Sequence, residues 1–160
     1  MKTLYTDRIN TKIGPLYIYV DENGSLVKIC FEENPLKKNV INNEKKCLPI
    51  KNWLIKYFNR KPREINFNLN LKGTEFQKTV WQALIKIPWG KTISYKKLAE
   101  IVENPGASRA VGNALNANPI PIIIPCHRVI MSNGQLGGFG GGIEIKKQLI
   151  KHEAILRSTE

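Results

Sequence analysis

Residues 12–20 (KIGPLYIYV) alternate apolar and polar side chains, the period of a strand with one buried face. Residues 25–31 (SLVKICF) resume a β-rich run after the turn chemistry of DENG. Together they predict a hairpin near the start of the chain. The lysine- and asparagine-rich stretch 34–46 (NPLKKNVINNEKK) reads as a loop. Beyond it, Trp53, Leu54, Tyr57 and Phe58 fall at helical spacing until Lys61 and Pro62 end the pattern, and INFNLNL at 65–71 alternates as another strand. From Gly73 the period changes to that of helices. Thr74 is a suitable N-cap for residues 75–87, where Phe76, Val80, Trp81, Leu84 and Ile87 make an apolar stripe before Pro88, Trp89 and Gly90 stop it. ISYKKLAEIV (93–102) predicts a short helix and ENPG a turn. Ser108 is placed to cap RAVGNALNAN, with Val111 and Leu115 as an i,i+4 apolar pair and Asn118-Pro119 as its end. Two short helices joined by a tight Pro-Gly turn are the signature of a helix-turn-helix.

This change of period divides the chain into a small mixed α/β domain over residues 1–71 and a helical domain over 72–160, an α+β protein. At 160 residues, 42% hydrophobic and 24% charged, the sequence supports packed cores and excludes a disordered tail. The apolar run at Ile122–Ile124 is too short and too proline-broken to span a membrane, and the first residues lack the apolar core of a signal peptide. A cytoplasmic, monomeric protein is the expectation. Basic residues exceed acidic ones by 12 and the pI is near 9.7, so a polyanion is the natural partner. The excess does not locate a face: residues 1–70 carry 13 basic and 7 acidic side chains, residues 71–160 carry 12 and 6.

The three cysteines, Cys30, Cys47 and Cys126, have no paired spacing, so a disulfide framework is not expected. Cys30 reads as a strand core residue and Cys47, beside lysines, as incidental. Cys126 is different, because it closes PIPIIIPCHRV, an apolar stretch pinned by three prolines, with His127 as its neighbour. Pro125 presets an extended approach, so the thiol is displayed at the end of a rigid segment. A nucleophilic cysteine needs a base, for which His127 is nearest. That base needs an orienting acid, for which Glu153 in KKQLIKHE is best placed. Two histidines and scattered cysteines lack metal-ligand spacing, so no metal and no cofactor are expected.

With Val111 and Leu115 turned inward, Ala110, Ala114 and Ala117 should share a smooth exposed stripe beside Asn113, suited to close approach in a minor groove, with Arg109 at its start. Downstream, the glycine-rich NGQLGGFGGG can bring backbone amides close to a flat ligand, with Phe139 available for packing. A thiol, a DNA-reading helix and a ligand loop brought together imply a nucleotide flipped out of its duplex. A winged-helix regulator or lesion sensor without chemistry is the alternative; a cysteine hydrolase would need an oxyanion-hole signature that is missing.

NPIPIIIPCHRVI, preceded by SYKKLAEIV and RAVGNALNANP and followed by the glycine-rich loop and the KKQLIKHE helix, resembles the O6-alkylguanine-DNA alkyltransferases. The match is close over residues 73–156 and loose before them. The resemblance implies a ribonuclease H-like N-terminal domain and a winged-helix C-terminal domain acting on double-stranded DNA that contains O6-alkylguanine. It implies direct, single-turnover transfer of the alkyl group to Cys126. His127 then corresponds to a water-mediated base, Glu153 to its orienting acid, and Asn118 to a hinge residue near the thiol. Tyr95 corresponds to the tyrosine that helps rotate the nucleotide and protonates the departing guanine, and Arg109 to the arginine that fills the vacated stack. The carbonyls of Cys126 and Val129 and the amide of Gly140 would meet the guanine, with Phe139 and Arg128 at the pocket. Phe139-Gly140 departs from the hydroxyl-bearing pair of many members, and residues 1–70 lack the histidine of a zinc-bearing N-terminal domain.

Overall fold

The computed structural model describes residues 2–33, 39–61 and 64–159, with side chains to Ala154. It separates into two compact units, Met1–Leu71 and Lys72–Glu160.

The first unit is a four-stranded sheet covered by one helix. Strands β1 (Leu4–Thr11), β2 (Gly14–Val20) and β3 (Leu26–Cys30) run antiparallel in sequence, and β4 (Val40–Asn42) adds to β1 in parallel, giving the order β3-β2-β1-β4. The predicted hairpin is β2–β3, and its turn forms as the residue types demand. The Asp21 carboxylate accepts from the amides of Asn23 (2.9 Å) and Ser25 (3.0 Å), and Gly24 takes φ +79°. Strand β1 carries no periodic signal because only Ile9 of its eight residues is buried. Helix α1 (Glu44–Phe58) begins inside the predicted loop, capped by Asn43 accepting from the Lys46 amide at 3.0 Å. The loop's residues 34–38 and the helix stop at Pro62 lie outside the described residues.

Leu16, Ile18 and Val20 on β2 are buried, as period two predicts, and so are Cys47, Ile50, Leu54 and Tyr57 of α1, which packs on β1 and β2. Cys47, read as incidental from its lysine neighbours, is core: a helix turns adjacent residues about 100° apart, so charged neighbours say nothing about its own face. Cys30, read as core, is only partly buried. Residues 65–71 do not form the expected strand. They contribute one bridge, Leu26 to Leu69, closed by the Leu26 amide on Asn68 O and the Asn70 amide on Leu26 O.

The second unit is built from α2 (Glu75–Ile85), α3 (Tyr95–Ile101), α4 (Ser108–Asn116) and α5 (Ile143–Thr159), with a small parallel pair of β5 (Ile93–Ser94) and β6 (Val129–Ile130). Thr74 caps α2 in a reciprocal box with Gln77, and Ser94 caps α3 through the Lys97 amide. Helices α3 and α4 pack on each other, and α2 packs on α4 with the Trp81 indole donating to Ala114 O at 2.8 Å. Two details differ from the sequence reading. Ala107, not Ser108, is the N-cap of α4, and Ser108 enters the helix without a capping bond. Ala114 is buried, because Val111, Ala114 and Leu115 stand at i, i+3 and i+4 and form one inward stripe. Among the described residues no helix is long and apolar enough to cross a membrane.

Candidate active site

The segment between α4 and β6 is held by its own backbone and by Asn118. The Asn118 side chain accepts from the Ile120 amide at 2.9 Å and donates to Ile124 O at 2.8 Å, clamping both ends of the proline-rich run. Ile120, Ile122, Ile123 and Ile124 are all buried. Ile122 takes φ +75°, a left-handed conformation costly for a β-branched residue. Strain of about 1–3 kcal/mol is tolerable there because each buried isoleucine contributes a comparable ~1.5–3 kcal/mol. Pro125 (φ −81°, ψ 65°) forms an inverse γ-turn, closed by the Cys126 amide on Ile124 O at 2.8 Å. Cys126, His127 and Arg128 then make a single 3-10 turn, in which successive side chains diverge by about 120°.

That divergence sends the three side chains to different partners. His127, wholly buried, places Nε2 2.7 Å from Glu153 Oε2 on α5. Arg128 donates through Nε to Glu153 Oε1 at 2.8 Å, through Nη2 to Oε2 at 3.2 Å and through Nη1 to Ile87 O at 2.6 Å. Burial opposes ionisation of Glu153, but His127 and Arg128 outweigh it and hold its carboxyl down at about 2. Glu153 is thus an acceptor only. Burial pushes His127 below its ordinary value, against the pull of Glu153, so the ring is neutral near pH 7. A neutral ring facing an ionised carboxylate carries its proton on Nε2, which leaves Nδ1 as the acceptor. Nδ1 is buried and has no hydrogen-bond partner among the described residues.

The Cys126 thiol is 8% exposed. Burial raises its pKa, while the Asn118 side chain and the positive charge of Lys146 act the other way. Tyr95, the first residue of α3, is half-buried. Burial and the neighbouring Cys126 hold its phenol protonated. Gly137 (φ +73°) lies so close that a Cβ there would sit 2.7 Å from the Tyr95 hydroxyl, so glycine is required for that loop to pass the ring.

Asn118 and Tyr95 thus lie beside Cys126, and His127 in the same turn is held by Glu153. The Arg128 guanidinium, expected at the pocket, commits its donors to Glu153 and Ile87, because a buried guanidinium needs its acceptors. The expected guanine acceptors are already engaged once each: Val129 O by Lys146 Nζ at 2.7 Å, and Cys126 O by the Val129 amide. Each keeps a second lone pair. Phe139 is partly buried and Gly140 exposed in the loop before α5. The outer face of α4 presents Arg109, Ala110, Asn113 and Ala117. Sequence reasoning missed Lys146 altogether. Its signal was present, since Lys146, Leu149 and Glu153 share one face of α5 at i, i+3 and i+7. Among the described residues no group of three His, Cys, Asp or Glu side chains is placed to hold a metal ion.

A helix-turn-helix unit that carries a buried thiol beside a histidine–carboxylate pair defines a class of DNA-directed proteins with cysteine chemistry. The family model for the 6-O-methylguanine DNA methyltransferase DNA binding domain matches residues 75–155, and that for the ribonuclease-like domain of the same proteins matches residues 2–71. The chain belongs to the 6-O-methylguanine DNA methyltransferase family. It is 42% identical to the methylated-DNA–protein-cysteine methyltransferase of Methanosarcina mazei over 94% of this chain and 97% of that one. It is 52% identical to that of Mycobacterium leprae over 64% of each. A crystal structure of Mycobacterium tuberculosis OGT in complex with DNA superposes with a TM-score of 0.88 at 38% identity, covering 95% of this chain and 94% of the other.

Proposed function

We propose that Cys126 is the alkyl acceptor of a single-turnover repair reaction on double-stranded DNA, with residues 72–160 carrying both DNA binding and chemistry. One observation carries this reading: the buried thiol shares a turn with a neutral His127 whose Nδ1 is unpartnered and whose Nε2 is held by ionised Glu153. In the reaction the thiol proton passes toward His127 Nδ1 through a water. The Cys126 sulfur forms a bond to the alkyl carbon, the carbon–O6 bond breaks, and its electron pair stays on guanine. Guanine leaves as an anion unless protonated, and the Tyr95 phenol supplies that proton. The product is a stable thioether at Cys126, and no step regenerates the thiol.

The lesion reaches the thiol by flipping out of the duplex. Exposed Ala110, Asn113 and Ala117 on α4 are small enough for a minor groove, and Arg109 stands where it can fill the vacated stack. Asn118 holds the segment that presents the thiol, and Val129, Phe139 and Gly140 form the pocket wall. The protein works in the cytoplasm, where its thiols stay reduced.

The test is intact-protein mass before and after mixing with a duplex containing O6-methylguanine, followed by peptide mapping. A gain of one methylene on Cys126, saturating at one equivalent, is the expected result. Tight duplex binding with unchanged mass would instead fit the regulator or lesion sensor, which the family comparisons do not favour.

A further inference from the structure

Lys146, in the first turns of α5, is completely buried, which is unusual for an ammonium group. Among the described residues no carboxylate lies within ion-pair distance of it. Its Nζ donates instead to Val129 O on β6 at 2.7 Å and to Gly138 O in the glycine-rich loop at 3.2 Å, and it lies 5.9 Å from the centre of the Tyr95 ring on α3. One side chain therefore ties β6 to the glycine-rich loop and lies beside the Tyr95 ring.

The charges of the site do not cancel without an anion. Tyr95 faces the thiol from α3, Lys146 and Glu153 stand on α5, and His127 and Arg128 share the thiol's own turn. Arg128 and Glu153 neutralise one another through two hydrogen bonds, and Tyr95, His127 and Cys126 are neutral in the resting state. Among the described residues Lys146 is left without a countercharge, and burial holds its ammonium below the ordinary lysine value. The mutual influence of Lys146 and Cys126 has the sign this predicts: the lysine favours the thiolate, and the cysteine favours the ammonium, against the burial that opposes each.

We propose that Lys146 is a positioning residue, whose buried ammonium fixes the glycine-rich loop against Val129 and supplies the countercharge for the anion that develops at Cys126. This rests on Cys126 being the acceptor. It adds a separate assertion, that the charge of Lys146 and not only its hydrogen bonds sets thiol reactivity. A glutamine at this position keeps amide donors for the two carbonyls and loses the charge, whereas an arginine keeps both.

The experiment compares the wild type with Lys146→Gln and Lys146→Arg. Two rates are followed from pH 5 to 10: methyl transfer from an O6-methylguanine duplex, and mapped alkylation of Cys126 by iodoacetamide, which needs no DNA. Melting temperature and affinity for undamaged duplex control for folding. For Lys146→Gln, the acid limb of both profiles should move to higher pH and both rates near pH 7 should fall roughly tenfold, as one unit in thiol pKa would require. Lys146→Arg should restore most of the loss. A uniform loss at every pH with the limb unmoved, or a wild-type profile in the glutamine variant, would overturn the proposal. Should Lys146→Gln not fold, Lys146→Met takes its place; failure of both to fold also overturns it, since the ammonium would then be a structural requirement. A wild type that transfers no methyl group would refute the acceptor assignment itself, and an iodoacetamide profile that still depends on Lys146 would then support only the effect of its charge on the thiol.

Discussion

Each unit buries a cysteine on its core side; burial raises both thiols, and what differs is the company each keeps. Cys47 in the first unit is fully buried and donates weakly to Tyr5 O at 3.8 Å. Burial, with Asp7 adding to it, pushes its thiol up to about 12, and Lys51 offsets little because Lys51 is paired with Asp7 at 3.0 Å. Cys126 is buried nearly as well and burial also holds its thiol above the ordinary value, but Asn118 and Lys146 oppose that rise, and an imidazole nitrogen with no hydrogen-bond partner among the described residues lies in the same turn. Burial alone makes a cysteine inert. What distinguishes the reactive one is a neighbouring cation whose charge is not already spent on a carboxylate, together with a base kept neutral and oriented.

The most forceful way to break this comparison is to exchange the two residues for alanine. Cys126→Ala should lose methyl acceptance entirely, at least ~10³-fold by mass-spectrometric transfer assay, while still binding duplex. Cys47→Ala should transfer at the wild-type rate and lose about 1 kcal/mol of stability, read from denaturant unfolding. Equal loss of transfer in both variants would remove the distinction.

Next in size is Glu153→Gln. Without an ionised partner, His127 loses the tautomer that frees Nδ1, and transfer should fall ~10²–10⁴-fold in single-turnover kinetics. Arg128 is left without its charge partner, so unfolding should also become easier by about 3–5 kcal/mol. No analogous change on Asp7 should affect transfer.

Acid should act on the second unit through the same pair. His127 is held below its ordinary value in the fold, so stability is full above about 6.5 and declines as the pH falls and the buried ring must charge. Glu153 is depressed from 4.5 to about 2, so its contribution is present above about 4.5 and is lost between there and pH 2. Thermal melts followed by tryptophan fluorescence should show both steps. Glu153→Gln should lack the lower one, and its persistence in that variant would contradict the assignment.

The smallest effect belongs to the outer face of α4. Ala110→Glu keeps helix propensity and touches no core residue, so melting should not move, yet duplex affinity should drop about tenfold, or about 1.4 kcal/mol. Binding should weaken with added salt in the wild type, and a salt-independent affinity would argue against a phosphate-contacting face.

Much of this was legible before any coordinates. The β2–β3 hairpin and its DENG turn, the Thr74 cap with Gln77, and the α3–turn–α4 pair follow from local rules whose donors, acceptors and periods lie within a few residues of one another. Strand β1 was not legible, because it has polar residues on both faces and earns its place only by pairing with β2 and β4. Residues 65–71 had the right alternation for a strand, but no continuous neighbour took up their backbone bonds. Ala114 was misplaced because alanine carries little hydrophobic signal, although its spacing from Val111 puts it on the inward stripe with Leu115.

At the site, the sequence by itself determined the chemical parts: a proline-framed Cys126-His127 and a helix-borne Glu153 on one amphipathic face. Which nitrogen of His127 is free, where Arg128 sends its donors, and that Lys146 is the uncompensated cation were decided only by tertiary structure. Those properties depend on distances between α5, β6 and the glycine-rich loop, and on burial that makes each unpaired charge count. Neither distance nor burial is a property of any one segment of the chain.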